Sequence, residues 1–453
     1  MAPGVIGEHP RTHRQGFLIV NADVGGTADL DVRCRDGRVV EIGRGLAASA
    51  NEDSFDARGG TLLPGLNDHH IHLFALAAAR RSVACGPPSV TTRTELEAAL
   101  EAAPGEDWIR GVGYHESVAG MLDKHSLDEI RDDRPVRIQH RSGKLWFINS
   151  LAGRRLGIET TDGQLFRLDE LLRDRLAEDS DLIAAVEETS RLLAGYGITG
   201  ITDATYTNDK TTESLYRKLD LRQRVNLMGD ESLESGSLKI MLDDAVLPDF
   251  DGLQERVAQA HRRGRPVAFH CVTRTELVFA LAALRNAGTL PGDRIEHASV
   301  ADVPTMRLLR EVSGDQGCVT VVTQPNFIAE RGDHYLRDVP AQDHDNLYRC
   351  RGFLEAGIPL GGGTDSPYGD PDPWAAMRAA VERRTTKGRI VGANEALCPE
   401  RALELFLTPL DSPGGTPRSV VVGAPVDFCV LAKPWEEARD SLAAKLVTRT
   451  IRH

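Results

Sequence analysis

Short apolar runs alternate with amphipathic stretches through the body of the chain. Eight of the runs combine apolar and β-branched residues and end in or near polar ones, a pattern typical of buried strands. They cover residues 62–72, 197–203, 224–228, 238–243, 266–270, 294–297, 319–324 and 358–365. Most are separated by stretches with helical periodicity, such as residues 253–263 and 274–287. Because strands that alternate with helices form parallel sheets, we predict an α/β fold with a TIM-type (β/α)₈ barrel.

The two ends of the chain have a different pattern, with short strands and turns. Strands are predicted at residues 17–20, 31–34 and 38–42, and the dipeptide Asp36-Gly37 between the last two is a hairpin signal. Three more strands are predicted at residues 419–422, 426–431 and 445–451. We therefore predict a small, discontinuous β-sandwich domain from residues 1–64 and 413–453, with the barrel in residues 65–412.

A long gap separates the first two predicted barrel strands. At about 120 residues it is too long for a single crossover connection. Residues 108–113 and 136–140 within it have the pattern of strands. The barrel is therefore expected to carry an insertion at about residues 75–190.

Charge and composition narrow the classes of partner. The chain has 54 Lys+Arg against 67 Asp+Glu, and this balance argues against nucleic acid or an anionic membrane surface, which both attract clustered positive charge. The longest apolar stretches, such as residues 73–79, are too short to span a bilayer, and residues 1–16 lack a signal-peptide pattern. Seven scattered cysteines without a CxxC pair indicate reduced thiols. We expect a cytoplasmic protein that acts on a small molecule, with its oligomeric state left open.

Two histidines close the first predicted strand of the barrel. Side chains alternate along a strand, so His70 and His72 face the same side and can hold one metal ion. Two histidines on the solvent-exposed face of a strand would have the same spacing, so the pair alone is weak evidence for a metal site.

Further candidate ligands lie on four other predicted strands. Lys239 lies early in the fourth run, where a lysine is unfavourable unless it is paired, modified or able to reach solvent. His270 closes the fifth run, His297 the sixth, and Asp365 the eighth, after three glycines that permit a close approach. Barrel enzymes place their chemistry at the C-terminal ends of the strands, so we predict one metal centre from these side chains.

These residues, in this order along the strands, resemble the amidohydrolase superfamily. The chain's entry into the first barrel strand, Asp36-Gly-Arg-Val39 followed by residues 55–65, and its exit at residues 423–431 are also similar. Residues 200–203, 238–243 and 323–327 are most similar to the amidohydrolase 3 branch, which contains N-substituted formamide deformylase. The resemblance covers nearly the whole chain.

The resemblance implies one or two divalent ions, with zinc expected and iron, manganese or cobalt also suited to such ligands. His70 and His72 would hold the more buried ion, and His270 and His297 the more exposed one. Lys239, carboxylated by carbon dioxide, would bridge them, because two cations favour the anion so formed. Asp365 would ligate the buried ion, accept a proton from the metal-activated water and return it to the leaving nitrogen.

The expected reaction is hydrolysis of a C–N bond in a non-peptide amide, formamide or cyclic amide. Deamination of a heterocycle and hydrolysis of a lactone use the same water chemistry and stay open. A barrel without activity is the least favoured alternative, because every ligand position is filled.

Several further residues are candidates for substrate contact. Gln324 and Asn326 follow the seventh strand on the predicted active face, and Trp374 is either part of a lid or a packing residue. His115, His140 and Arg141 lie in the insertion near strand ends, and Lys144 stands where relatives often carry a histidine. Cys271, next to His270, is expected to face away from the metal and to pack.

Overall fold

A computed structural model describes residues 16–49, 52–105, 107–143, 145–166, 180–314, 317 and 319–452. It divides into two compact units, Met1–His72 with Ser190–His453 and Leu73–Thr189. Lys144 lies outside the described residues.

The strands and helices are numbered in chain order. The strands are β1 Gly16–Val24, β2 Thr27–Arg35, β3 Arg38–Gly43, β4 Asp53–Asp56, β5 Leu62–Pro64, β6 Leu66–Ile71, β7 Val83–Ala84, β8 Ile109–Tyr114, β9 Val136–His140, β10 Leu145–Ile148, β11 Gln164–Phe166, β12 Ile198–Asp203, β13 Arg224–Leu227, β14 Leu238–Met241, β15 Val267–Cys271, β16 Asp293–His297, β17 Val319–Thr323, β18 Leu360–Gly362, β19 Asp427–Leu431 and β20 Val447–Arg452. The helices are α1 Leu73–Arg80, α2 Arg93–Glu101, α3 Lys124–Ile130, α4 Ser150–Leu156, α5 Ser180–Gly195, α6 Lys210–Tyr216, α7 Phe250–Arg262, α8 Arg274–Ala287, α9 Val303–Ser313, α10 Asn326–Asp338, α11 Arg351–Glu355, α12 Pro373–Glu382, α13 Pro399–Leu407 and α14 Trp435–Ala438.

Parallel strands make up the body of the first unit. One sheet has the order β13-β12-β6 and the other the order β14-β15-β16-β17-β18, and all neighbours within them are parallel. Helices connect most of these strands, which confirms the predicted α/β class with parallel sheets. The first predicted run divides in two at Gly65, because β5 belongs to a different sheet from β6.

The two parallel sheets are linked to each other at both edges. Gly229, just after β13, forms a parallel bridge with Leu238 in β14. At the other edge the Asp365 amide donates to the His70 carbonyl at 2.7 Å, and the His72 amide donates to the Ser366 carbonyl at 2.8 Å. The carboxyl ends of β6 and β18 are therefore held side by side.

The chain ends of the first unit form two small sheets, β3-β2-β1-β4 and β20-β19-β5. The predicted hairpin is present between β2 and β3, where Asp36 and Gly37 have φ of 48° and 71°, values that favour such a dipeptide in a two-residue turn. Apolar side chains from both sheets, including Ile19, Val32 and Phe428, belong to one core cluster.

The strand predicted at residues 419–422 is wrong. Val421 and Val422 are 51% and 61% exposed, so their β-branched side chains are not part of a buried strand. Instead Ala424 accepts a hydrogen bond from the Val39 amide, and Gly423 donates one to the Val39 carbonyl. The segment is therefore a turn beside β3, with Val420 buried in the core and the two following valines exposed.

The second unit has a sheet and a core of its own. Its five strands have the order β11-β10-β9-β8-β7, and β8 and β9, both predicted, run parallel. Leu96, Leu100, Ile109, Ile138 and Phe147 are among its fully buried core residues.

In the described part of the chain, no helix has the length and apolarity that crossing a membrane requires.

Candidate metal centre

Three predicted ligands meet where β6 and β18 end. One side-chain ligand atom from each of His70, His72 and Asp365 lies within 4.8 Å of the others. Asp365 Oδ1 is 3.5 Å from His70 Nε2 and 3.2 Å from His72 Nε2. The backbone hydrogen bond from Asp365 to His70 accounts for this convergence, because it fixes the two strand ends relative to each other.

A second pair of histidines lies beside the first. His297 Nε2 is 3.0 Å from His270 Nδ1, and the rings of His297 and His70 have centroids 4.8 Å apart. His297 Nδ1 is also 3.9 Å from Asp365 Oδ2. The structure thus brings five of the six predicted ligands into one cluster of ring nitrogens and carboxylate oxygens.

Lys239 is the second residue of β14, so it lies early in its strand, as the sequence indicated. It is 2% exposed, and its Nζ has no hydrogen-bond partner among the described residues. Burial lowers the pKa of Lys239, with Glu296 opposing that effect. A buried amine with a lowered pKa is neutral more often than a surface lysine, and a neutral amine is the form that adds to carbon dioxide.

Two of the converging residues have backbone conformations that are rare outside glycine. His297 has φ of 68° and Asp365 φ of 55°, both in the left-handed region. Such conformations cost on the order of 1–3 kcal/mol and cluster at functional sites. At His297 the turn has a clear effect: it breaks strand alternation, so that Glu296 and His297 both reach the same cluster.

Neighbouring side chains fix the orientation of three histidines. His70 Nδ1 donates to Glu296 Oε2 at 2.5 Å, and His297 Nδ1 donates to Gln324 Oε1 at 2.7 Å. His72 Nδ1 lies 2.8 Å from Thr205 Oγ1. Histidines that bind metal ions usually have one ring nitrogen engaged in this way, which leaves the other for the ion.

Glu296 and Thr205 were not identified from the sequence. Glu296 did carry a signal, because an acidic residue inside an apolar strand is unfavourable unless it is paired. Thr205 lies two residues beyond β12 and carried no comparable signal.

The charges in the cluster hold its ionisable groups in definite states. Burial, followed by the charge of Lys239, lowers the pKa of His70 to about 3. Burial raises the pKa of Asp365, but the electrostatic interaction with the nearby His70 ring and the hydrogen bond with His72 outweigh it and hold that pKa below its usual range. Neutral histidines and an ionised aspartate are the forms that bind cations.

Gln324 and Asn326, proposed as substrate contacts, are both buried and both have a partner in the protein. Gln324 holds His297 as described, and Asn326 Nδ2 donates to the Thr364 carbonyl at 3.1 Å, next to Asp365. These bonds show a supporting role for each residue, and substrate contact stays a prediction.

His115, His140 and Arg141 lie in the second unit. The two rings are stacked with centroids 6.1 Å apart, and Glu116 lies between their Nε2 atoms, at 3.4 Å from His115 and 3.1 Å from His140. Arg141 is exposed. Their contact with substrate stays a prediction.

Trp374 and Cys271 have packing roles. Trp374 is fully buried and donates from Nε1 to the Tyr196 carbonyl, as the packing alternative predicts. Cys271 is fully buried as well, and burial raises its pKa well above the usual range.

The chain matches known proteins over nearly its whole length. A model of the amidohydrolase family matches residues 53–453. The N-substituted formamide deformylase of Arthrobacter pascens is 25% identical over 97% of both chains. The putative amidohydrolase YtcJ of Bacillus subtilis (strain 168) is 22% identical, over 79% of this chain and 80% of its own.

Solved structures share the fold. An uncharacterized metal-dependent hydrolase from Pyrococcus furiosus superposes with a TM-score of 0.72 at 20% identity, covering 92% of this chain and 99% of its own. The 5-methylcytosine deaminase from Klebsiella pneumoniae has a TM-score of 0.57 at 16% identity, over 96% of both chains.

Proposed function

The chain belongs to the amidohydrolase family, and from that premise we propose that it hydrolyses a C–N bond in a non-peptide amide, formamide or cyclic amide. The convergence of His70, His72 and Asp365 at the ends of β6 and β18 carries this proposal. A relative with 97% coverage is named for the cleavage of formamides, which supports the substrate class.

The architecture that we infer for the catalytic part is one closed (β/α)₈ barrel. The links between β13 and β14 and between β6 and β18 support closure of the eight parallel strands. The core shared by the two terminal sheets supports a β-sandwich from residues 1–64 and 413–453. In this assignment the barrel occupies residues 65–412, with the insertion at about residues 75–190.

The side chains fit a centre of one or two divalent ions, for which zinc is our first choice. His70, His72 and Asp365 would hold one ion, and His270 and His297 the other. In His70, His72 and His297 a neighbouring side chain lies within hydrogen-bond distance of Nδ1. Their Nε2 atoms, which lie next to Asp365 or His270, would therefore be the ligand atoms. Lys239 Nζ would form a bond to the carbon of carbon dioxide and lose a proton, and the resulting carboxylate would bridge both ions.

A divalent ion, when bound, lowers the pKa of water towards about 7 and polarises a carbonyl group. The protein itself supplies the proton transfer. Asp365 Oδ1 faces the histidine pair, so Oδ2 is the atom that accepts the proton of the attacking water. Asp365 then returns this proton to the departing nitrogen, because an amine leaves poorly unless it is protonated.

Product analysis tests this function directly. The protein is stripped with a chelator, reloaded with zinc, and incubated with N-substituted formamides, cyclic amides, lactones and amino-substituted heterocycles. We expect an amine and a carboxylate from an amide substrate, with activity lost on stripping and recovered on reloading.

The other outcomes are equally informative. Release of ammonia from heterocycles, with the amides untouched, would overturn the proposed reaction in favour of deamination. Activity that survives complete removal of metal would overturn the metal-dependent mechanism.

A further inference from the structure

A buried ion pair on β16 lies behind the proposed metal centre. Arg294 and Glu296 are two residues apart, so both side chains point to the same side of the strand. They are 3% and 0% exposed. Arg294 Nε donates to Glu296 Oε1 at 2.7 Å, and Arg294 Nη2 donates to Glu296 Oε2 at 3.1 Å.

Both members of this pair reach β6, the strand that carries His70. Glu296 Oε2 accepts from His70 Nδ1 at 2.5 Å, and Arg294 Nη2 donates to the carbonyl of His69 at 2.7 Å. The pair therefore holds the ring of His70 and also the backbone immediately before it. We call these two residues the β16 clamp.

Burying the β16 clamp has a large desolvation cost, so filling space does not explain it. A buried ion pair gains little stability over apolar side chains of similar volume, because both charges must leave water. What it adds is orientation: a carboxylate only accepts hydrogen bonds, so it keeps the hydrogen of His70 on Nδ1 and leaves Nε2 free to bind. His70 Nε2 is the atom that lies 3.5 Å from Asp365 Oδ1.

The other oriented histidines have neutral partners. His72 is next to Thr205, and His297 donates to Gln324. A hydrogen bond to a charged acceptor is stronger than one between neutral groups, so His70 is the most firmly held of the three.

We propose that Glu296 is a positioning residue that, held by Arg294, presents His70 Nε2 to the ion of the metal centre. This inference rests on the proposed function, because it requires that a divalent ion binds at His70. Loss of such an outer partner typically lowers metal affinity by about 10–100-fold.

Metal affinity in the Glu296→Gln variant is the primary measurement. Zinc is titrated into the full-length, metal-free protein in competition with a chromophoric chelator, and the dissociation constants of wild type and variant are compared. We expect binding weaker by about 10–100-fold in the variant. Glu395→Gln is the matched control, since Glu395 is also a buried glutamate, paired with Arg349 at 2.7 Å, and bonds to none of the proposed ligands.

A double-mutant cycle separates positioning from general destabilisation. If Glu296 acts through His70, the effect of Glu296→Gln on zinc affinity disappears in a His70→Ala background. Arg294→Lys replaces Glu296→Gln if the latter does not fold, and it is expected to weaken zinc binding because it loses the paired contacts to Glu296 and His69.

The outcomes distinguish this inference from the proposed function. Wild-type protein that binds neither zinc nor iron, manganese or cobalt in this assay would contradict the proposed function itself. If the wild-type protein binds zinc, two results would overturn the positioning role alone. One is a Glu296→Gln variant that binds zinc as tightly as the wild type. The other is a loss of zinc affinity on Glu296→Gln that is equally large in the His70→Ala background.

Discussion

Asp365 combines an unusual backbone with a central chemical role. Its φ of 55° lies in the left-handed region, and its carboxylate faces the Nε2 atoms of His70 and His72. The amide of Asp365 donates to the His70 carbonyl, and the Thr364 carbonyl immediately before Asp365 accepts from Asn326 Nδ2. The strain is thus maintained by hydrogen bonds around the residue, as expected where geometry serves function.

Replacing Asp365 by Asn should reduce kcat by about 10²–10⁴-fold, because the amide keeps the size of the side chain but cannot accept the proton. The rate is measured on the amide substrate found by product analysis, with the metal content of the same preparation determined in parallel. Asp370→Asn, at an exposed site in the same loop, is the control. Unchanged kcat at full metal content would refute the acid–base role.

Single residues also mark the limit of what sequence predicts. The histidines, Lys239 and Asp365 were identifiable because charged or ligating residues recur at strand ends. Thr205 was not, since a threonine beyond a strand has no distinctive pattern. The partners of Gln324 and Asn326 were equally hidden, because their bonds depend on the folded arrangement of separate strands.

At the level of elements, the meeting of β6 and β18 builds the site. Gly363 follows β18, and a Cβ atom there would lie 2.6 Å from His70 Cβ and 2.8 Å from the His70 amide nitrogen. Such distances are too short for carbon and nitrogen atoms in contact, so the position needs glycine for close approach.

Gly363→Ala should therefore displace the end of β6, with a loss of stability of about 1–3 kcal/mol and weaker zinc binding. Urea unfolding and chelator competition measure the two effects. Gly195→Ala is the control: it lies at the end of α5 with nothing within 4 Å of the added carbon. We expect it to be neutral or stabilising by up to about 1 kcal/mol. Tight zinc binding by Gly363→Ala would refute the requirement.

Periodicity predicted most elements well, and its failures have a physical cause. Each of the eight predicted barrel runs overlaps an observed parallel strand, and in most of them residues buried on both faces give a continuous apolar run. The run at residues 419–422 has a similar composition, but it forms no strand, and Val421 and Val422 in it are exposed. Composition alone does not report burial, so the two cases could not be separated without the structure.

On the scale of the whole molecule, several buried histidines make the metal-free protein sensitive to acid. Burial lowers the pKa of His69, His70, His270 and His297, and that of His70 falls from 6.5 to about 3. Below pH 6.5 the unfolded chain binds protons at these residues and the folded chain does not. The free energy of unfolding should therefore fall as the pH drops from 6.5 towards 3.

Asp68 acts in the opposite direction, since burial raises its pKa from 3.8 to about 6 and its protonation adds stability between those values. Burial raises the pKa values of Glu276, Glu330 and Asp372 as well, but the four histidines begin to bind protons in the unfolded chain near pH 6.5, above the ordinary range of carboxyl groups, so the net change is a loss. Urea midpoints of chelator-treated protein between about pH 8 and pH 5 measure it. A midpoint that stays constant or rises on acidification would refute the prediction.

The most direct test of the whole account is the metal content per chain. Elemental analysis is made on protein purified without chelator, alongside Lys239→Ala and the control Lys210→Ala, a lysine that is exposed on α6. The account predicts about two divalent ions per wild-type chain, fewer in Lys239→Ala and no change in Lys210→Ala. About one ion, unaffected by Lys239→Ala, would contradict the carboxylated bridge. No ion at all, even after incubation with zinc, iron, manganese or cobalt, would contradict the central claim that this is a metal-dependent hydrolase.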